Sequence, residues 1–186
     1  MKIDLCNIDI KDLAIIVSSE FEKNNISAVL VGGACVSIYS YNEYLSMDLN
    51  YVTYATIKEL KPVMSNLGFF QKSSRHFEHQ ECRFFIEFPP PPIAIGYEFP
   101  INRFHRIKSL KMLTPTDSVK DRLTAYYNWN DQQSLDQALM IVKKQEVNLK
   151  EVKEWSEGER SLEKFNRFKS LLTKTKKITR KINSQK

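Results

Sequence analysis

Residues 29–52 read VLVGGACVSIYSYNEYLSMDLNYV, and the fold follows from how this stretch divides. A short apolar, β-branched run over 27–31 suits a buried strand, and Gly32-Gly33 supplies a turn into a short helix over 34–42. Residues 47–54 then alternate, with Met47, Leu49 and Tyr51 opposite Asp48, Asn50 and Val52, as a strand packed on one face does. Side chains two apart on a strand share a face, so Asp48 and Asn50 point the same way, toward whatever the Gly-Gly turn presents. A turn free of Cβ atoms lets backbone approach a ligand, and the amides opening the next helix attract anions. The arrangement suits a phosphate beside a metal ion, with an amide at position 50 where a second carboxylate is expected.

Working outward, Asp9 or Asp12 caps a first helix running to about Lys23, with Leu13, Ile16, Val17 and Phe21 forming its apolar stripe. Thr56 caps a helix that ends at about Leu67 before Gly68. Two strands are expected at 69–77 and 82–88, joined as a hairpin by His79-Gln80-Glu81. The second stops at Pro89 to Pro92, since prolines donate nothing to a sheet ladder. An extended crossing segment covers 93–107, and an edge strand is expected within 106–113. From Thr116 the pattern turns helical, over 118–129, 132–144, 149–155 and 161–173, with Thr116 or Asp117 as the first N-cap. The expectation is an α+β fold: a mixed sheet flanked by helices over 1–114, a helical subdomain over 115–173, and a basic tail over 174–186 that is expected to be flexible.

Composition narrows the function classes. With 186 residues, 42% of them hydrophobic, the chain has enough apolar material for a packed core and is not a disordered protein. No apolar run approaches the roughly 20 residues needed to cross a bilayer, and MKIDLCNIDIKDL lacks the basic start and apolar block of an export signal. A cytoplasmic protein with no membrane partner is expected. Cys6, Cys35 and Cys82 have no close pair and read as packing residues. His76, His79 and Cys82 recur every third residue, a period that fits neither a strand nor one helix face, so a polar strand or loop is the plainer reading than zinc. The net charge of +6 is concentrated after residue 168, where seven basic residues and no acid stand. Such a tail either holds RNA or DNA through phosphate contacts or is simply solvated.

A further acid stands out. Glu87 lies in Phe84-Phe85-Ile86-Glu87-Phe88, and a carboxylate in so apolar a strand needs a cation, an acceptor hydroxyl, or a basic partner such as Arg83 or Arg75. With it, the ordered set becomes recognisable: Gly32-Gly33; Met47-Asp48-Leu49-Asn50-Tyr51-Val52; Phe85-Ile86-Glu87-Phe88-Pro89 with Ile93-Ala94-Ile95-Gly96; and Thr114-Pro115-Thr116-Asp117 with Lys120-Asp121-Arg122-Leu123 and Trp129-Asn130-Asp131. Over about residues 10–172 this resembles the nucleotidyltransferase superfamily, and within it the bacterial minimal nucleotidyltransferase-like proteins related to abortive-infection and toxin–antitoxin systems.

The resemblance implies transfer of a nucleoside monophosphate from a nucleoside triphosphate to a hydroxyl on RNA, tRNA included, or on a partner protein, with two Mg²⁺ ions. Carried over, Gly32 and Gly33 form the phosphate turn, Asp48 ligates metal, and Glu87 ligates metal and favours acceptor deprotonation. Asn50 occupies the second catalytic place and departs from the pattern. An amide oxygen still coordinates Mg²⁺ but brings no charge, so metal affinity falls, and loss of one electrostatic contact typically removes about 10²- to 10³-fold in rate. Arg122 is placed near the nucleotide, against the alternative that Lys120, Asp121 and Arg122 line an outer helix face. Two readings follow: a Mg²⁺-dependent transferase, or an impaired transferase scaffold acting as an RNA-binding or antitoxin-like partner.

Overall fold

The computed structural model describes residues 4–98 and 100–183, with the side chains of the last helix described as far as Lys174. In order these residues form α1 (Ile10–Lys23), β1 (Ala28–Val31), α2 (Gly33–Ser40), β2 (Asp48–Thr53), α3 (Ile57–Asn66), β3 (Phe70–Ser73), β4 (His76–Glu78), β5 (Phe85–Glu87), β6 (Phe104–Ile107), β7 (Leu110–Leu113), α4 (Pro115–Trp129), α5 (Gln132–Lys144), α6 (Leu149–Gly158) and α7 (Leu162–Asn183). The strands make one mixed sheet in the order β3-β4-β5-β2-β1-β7-β6. β1 runs antiparallel to β2 and parallel to β7, and β2 runs parallel to β5.

The local signals act where their chemistry places them. The Asp9 carboxylate accepts from the Lys11 amide and starts α1, whose Leu13, Ala14, Val17 and Phe21 are buried. Thr56 and Glu59 form a reciprocal capping box at α3. Leu30, Leu49, Tyr51, Ile86 and Met112 give the sheet one fully buried face. The Tyr51 hydroxyl donates to the Ala14 carbonyl at 2.9 Å, fastening that face to α1.

Three expectations need revision. The strand expected at 69–77 is two strands, β3 and β4, because the chain turns at Ser74-Arg75; β4 then pairs antiparallel with β5. The edge strand expected within 106–113 is the β6–β7 hairpin, turned at Lys108 with φ 54°, and β7 lies inside the sheet beside β1. The α4 N-cap is Thr114, whose hydroxyl accepts from the Asp117 amide at 3.0 Å and donates to its carboxylate at 2.6 Å. At the other end of the chain, α6 runs to Gly158 and α7 to Asn183, further than the periodicity indicates, while the basic side chains beyond Lys174 lie outside the described ones.

The helices after Pro115 share the core of the sheet. The Tyr39 hydroxyl of α2 donates to the Leu113 carbonyl at 2.6 Å, and Gln145 Nε2 donates to the Tyr39 carbonyl at 2.8 Å. Beneath α4 lies an ion cluster. Lys120 Nζ, its side chain 2% exposed, meets Glu98 Oε2 and Glu151 Oε1, each at 2.8 Å, and Asp117 Oδ1 at 3.5 Å. Arg103 joins it through Glu151 and Asp117. Lys120 is therefore not on an outer polar face: it ties the crossing segment to α4 and α6. The Arg103 guanidinium holds the Glu151 carboxyl down at about 2, against the opposing effect of burial.

Candidate active site

β1 ends at Gly32, the N-cap of α2, with φ 71° and ψ −146° and no side chain to cap the helix. That positive φ favours glycine. Gly33 is glycine for a different reason: a Cβ there would lie 2.7 Å from Ser46 Oγ. The helix that follows carries no acid in its first turn, so its N-terminal amides and dipole face the turn without a built-in anion.

Ser46 and β2 stand opposite. The Ser46 amide donates to Ser37 Oγ at 2.8 Å, which fixes the approach to the strand, and the Ser46 hydroxyl donates to one oxygen of Asp48. The other oxygen of Asp48 accepts from the side-chain amide of Asn50. Both oxygens are thus satisfied by neutral donors within two residues, and Asp48 and Asn50 remain only partly buried.

The sheet register brings Glu87 into the same place. Asn50 on β2 is directly beside Glu87 on β5, and Glu87 is directly beside His76 on β4, so the three side chains lie in a row on one face across adjacent strands. His76 Nδ1 and Glu87 Oε1 are 2.8 Å apart, and His76 Nε2 lies 3.1 Å from Glu78 Oε1. The imidazole stacks on Phe85 with ring centroids 4.8 Å apart. Glu87 beside it raises the pKa of His76 above its ordinary value. Neither Arg83 nor Arg75 is the partner of Glu87: Arg83 lies over the Phe84 ring, and Arg75 donates to the Ala55 carbonyl.

Arg122 reaches the turn from α4. A Cβ on Gly32 would lie 3.5 Å from Asn50 Nδ2 and 3.9 Å from an Arg122 terminal nitrogen, so the glycine, the amide and the guanidinium are neighbours. Arg122 is held from behind by Asp121, at 2.7 and 3.1 Å, and by Gln137 Oε1 at 3.3 Å. Burial works against its charge, but the Asp121 carboxylate more than offsets this and raises its pKa. The structure thus gathers Gly32, Gly33, Asp48, Asn50 and Arg122 around the turn, with Glu87 adjacent to Asn50. It adds Ser46, His76 and Gln137. His76 could have been found from the sequence only by fixing the β4–β5 register; Ser46, two residues before Asp48, carried no such signal.

His76, His79 and Cys82 do not converge. The His79 ring packs against Gly68 and Phe69, and its Nδ1 accepts from the Glu81 amide. Among the described residues no group of three or more His, Cys, Asp or Glu side chains is placed to hold a metal ion. Asp48 and Glu87 offer the hard carboxylate oxygens that would hold the Mg²⁺ the resemblance implies, while Asn50 presents its amide nitrogen to Asp48.

No protein-family profile and no curated protein matches the chain. Among solved structures it is similar to an antigenic nucleotidyltransferase-like protein from Paracoccidioides brasiliensis, with a TM-score of 0.55, 12% identity, and coverage of 75% of this chain and 78% of that one. The likeness establishes a nucleotidyltransferase-like fold, α+β with its seven-stranded mixed sheet. Among the described residues no helix is long and apolar enough to cross a membrane.

Proposed function

We propose that this chain binds a nucleoside triphosphate with Mg²⁺ at the Gly32-Gly33 turn and transfers its nucleoside monophosphate to a hydroxyl of RNA or of a partner protein. The observation that carries the reading is the meeting of an anion seat and a cation seat. The α2 N-terminus and Arg122 favour phosphate, and Asp48 with Glu87 on the facing strands favours a hard cation. Magnesium held there supplies charge neutralisation to the triphosphate oxygens.

In the transfer, the acceptor oxygen forms a bond to the α-phosphorus and the α–β anhydride bond breaks, releasing pyrophosphate. Arg122 and the turn amides hold the phosphates in place, and Glu87 takes the acceptor's proton, its carboxylate oriented by His76. A defence or toxin–antitoxin setting, with a protein partner, is the biological context this chemistry would fit.

The test is calorimetric titration of each of the four nucleoside triphosphates with and without Mg²⁺, followed by label transfer to cellular RNA and protein. Magnesium-dependent binding is expected in the parent, and Asp48→Ala should lose about 10²- to 10³-fold of transfer. No label transfer from any nucleotide, with Asp48→Ala binding as the parent does, would refute the proposal.

A second reading, nucleotide binding without transfer, is favoured by the Asn50 amide, which already satisfies Asp48 without a cation. Asn50→Asp separates the two readings. It places a second carboxylate beside Asp48, so Mg²⁺-dependent affinity should rise, and appearance of transfer only in that variant would assign the parent to the binding role.

A further inference from the structure

One cavity lies away from the Gly-Gly turn. It encloses about 760 Å³ and opens over Val29 and Val52, two residues along β1 and β2 from Val31 and Asn50, on the same sheet face. Its size is that of a small-molecule site. Ile93 and Ile101 from the crossing segment and Phe104 from β6 complete an apolar wall, while Asn25 and Thr53 give it a polar rim.

One cation in it has no counterpart. Lys111 of β7 is half-buried, with its ammonium 4.2 Å above the Phe104 ring. Among the described residues it makes no hydrogen bond or ion pair. The strand register places Arg106 directly beside it, and that second cation repels it. A second cavity of about 300 Å³, lined by Arg106 and Ser109, meets the first at Lys111.

The acids on the two walls do not answer this charge. Glu59 accepts from both the amide and the hydroxyl of Thr56, and Glu22 forms no ion pair among the described residues. A half-buried ammonium beside a second cation costs stability unless an anion joins it. The two most buried cations of the helical half are paired: Lys120 has three acids and Arg122 has one.

We infer that the two cavities together are a binding site for an organic phosphate, its phosphate held where they meet, by Lys111 with Arg106 from the second, and its apolar or aromatic body lying in the first against Phe104, Val52 and Ile101. The site is separate from the Gly-Gly turn, shares none of its residues, and does not depend on the reaction proposed above.

The probe is AMP, titrated by calorimetry in EDTA so that magnesium-dependent binding at the turn is silent, with adenosine and inorganic phosphate as the two partial ligands. AMP is expected to bind the parent at least tenfold more tightly than either. Lys111→Met should weaken AMP at least tenfold and raise the melting temperature of the free protein, because it removes an uncompensated charge while keeping the side-chain volume. Lys111→Gln, read the same way, serves if the methionine variant misfolds. Adenosine binding as well as AMP would overturn the phosphate contact, and phosphate binding as well as AMP would overturn the role of the apolar wall. Unchanged AMP affinity in both variants, or a lowered melting temperature, would overturn the site.

Discussion

The molecule holds two polar clusters, one beneath α4 and one on the open face of β2, and they satisfy their carboxylates in opposite ways. Beneath α4, Asp117, Glu98 and Glu151 each meet a full positive charge from Lys120 or Arg103. On the open face of β2, Asp48 meets only a hydroxyl and an amide, and Glu87 meets an imidazole. The first arrangement uses up its charge in holding the fold together. The second leaves Asp48 without a charged partner at a partly buried position, where a cation gains by arriving. A buried ion pair therefore reads as architecture here, and a carboxylate held by neutral donors reads as a site.

The comparison breaks most sharply at Lys120. Lys120→Met leaves three acids around an apolar side chain and should cost about 3–5 kcal/mol of unfolding free energy, measured by urea denaturation. Asp48→Ala, which removes no ion pair, should cost far less in the same experiment; equal losses would erase the distinction.

Acid supplies the next test. The Glu151 carboxyl ionises at about 2 in the folded chain against an ordinary 4.5. Its stabilising contribution is fully present above about pH 4.5 and is lost as pH falls from there toward 2. Urea midpoints measured across that window should decline in the parent and decline less in Glu151→Gln.

The smaller effect is at the turn. Gly33→Ala places a methyl 2.7 Å from Ser46 Oγ and 3.3 Å from Ser46 Cβ, so Ser46 must move off Asp48. Overpacking of this kind costs about 1–3 kcal/mol. Nucleotide affinity should fall together with stability, and a variant that keeps the parent's melting temperature would show that the Ser46–Asp48 contact gives way freely.

These clusters were unequally legible in the sequence. β1, the Gly-Gly turn and β2 could be read because their signals are local: a β-branched run, two glycines and an alternation of period two. Helix starts at Asp9 and Thr56 are equally local, since a cap is satisfied within three residues. The β3–β4 turn was hidden because Ser74-Arg75 contains no glycine, proline or asparagine, and the β6–β7 turn because lysine takes the left-handed conformation at 108. The row His76–Glu87–Asn50 spans three strands, so it exists only once register is set, and no spacing within the chain displays it. Lys120 looked like one member of a polar helix face because the acids that bury it come from residues 98 and 151. The nucleotidyltransferase-like fold was legible from motif order; the partners of its side chains were not.

The pairing of β1 with β7 has a consequence for how the chain emerges during synthesis. Leu30 finds its neighbour Met112 only after more than eighty further residues have been made. Until then β1, an interior strand of the finished sheet, presents an open edge of unpaired amides and carbonyls, the kind of surface that recruits another chain. A nascent or truncated product ending before β6 carries the whole Gly-Gly turn and Asp48 but cannot close the sheet around them, so the segment that bears the site is also the one most exposed to aggregation before synthesis is finished.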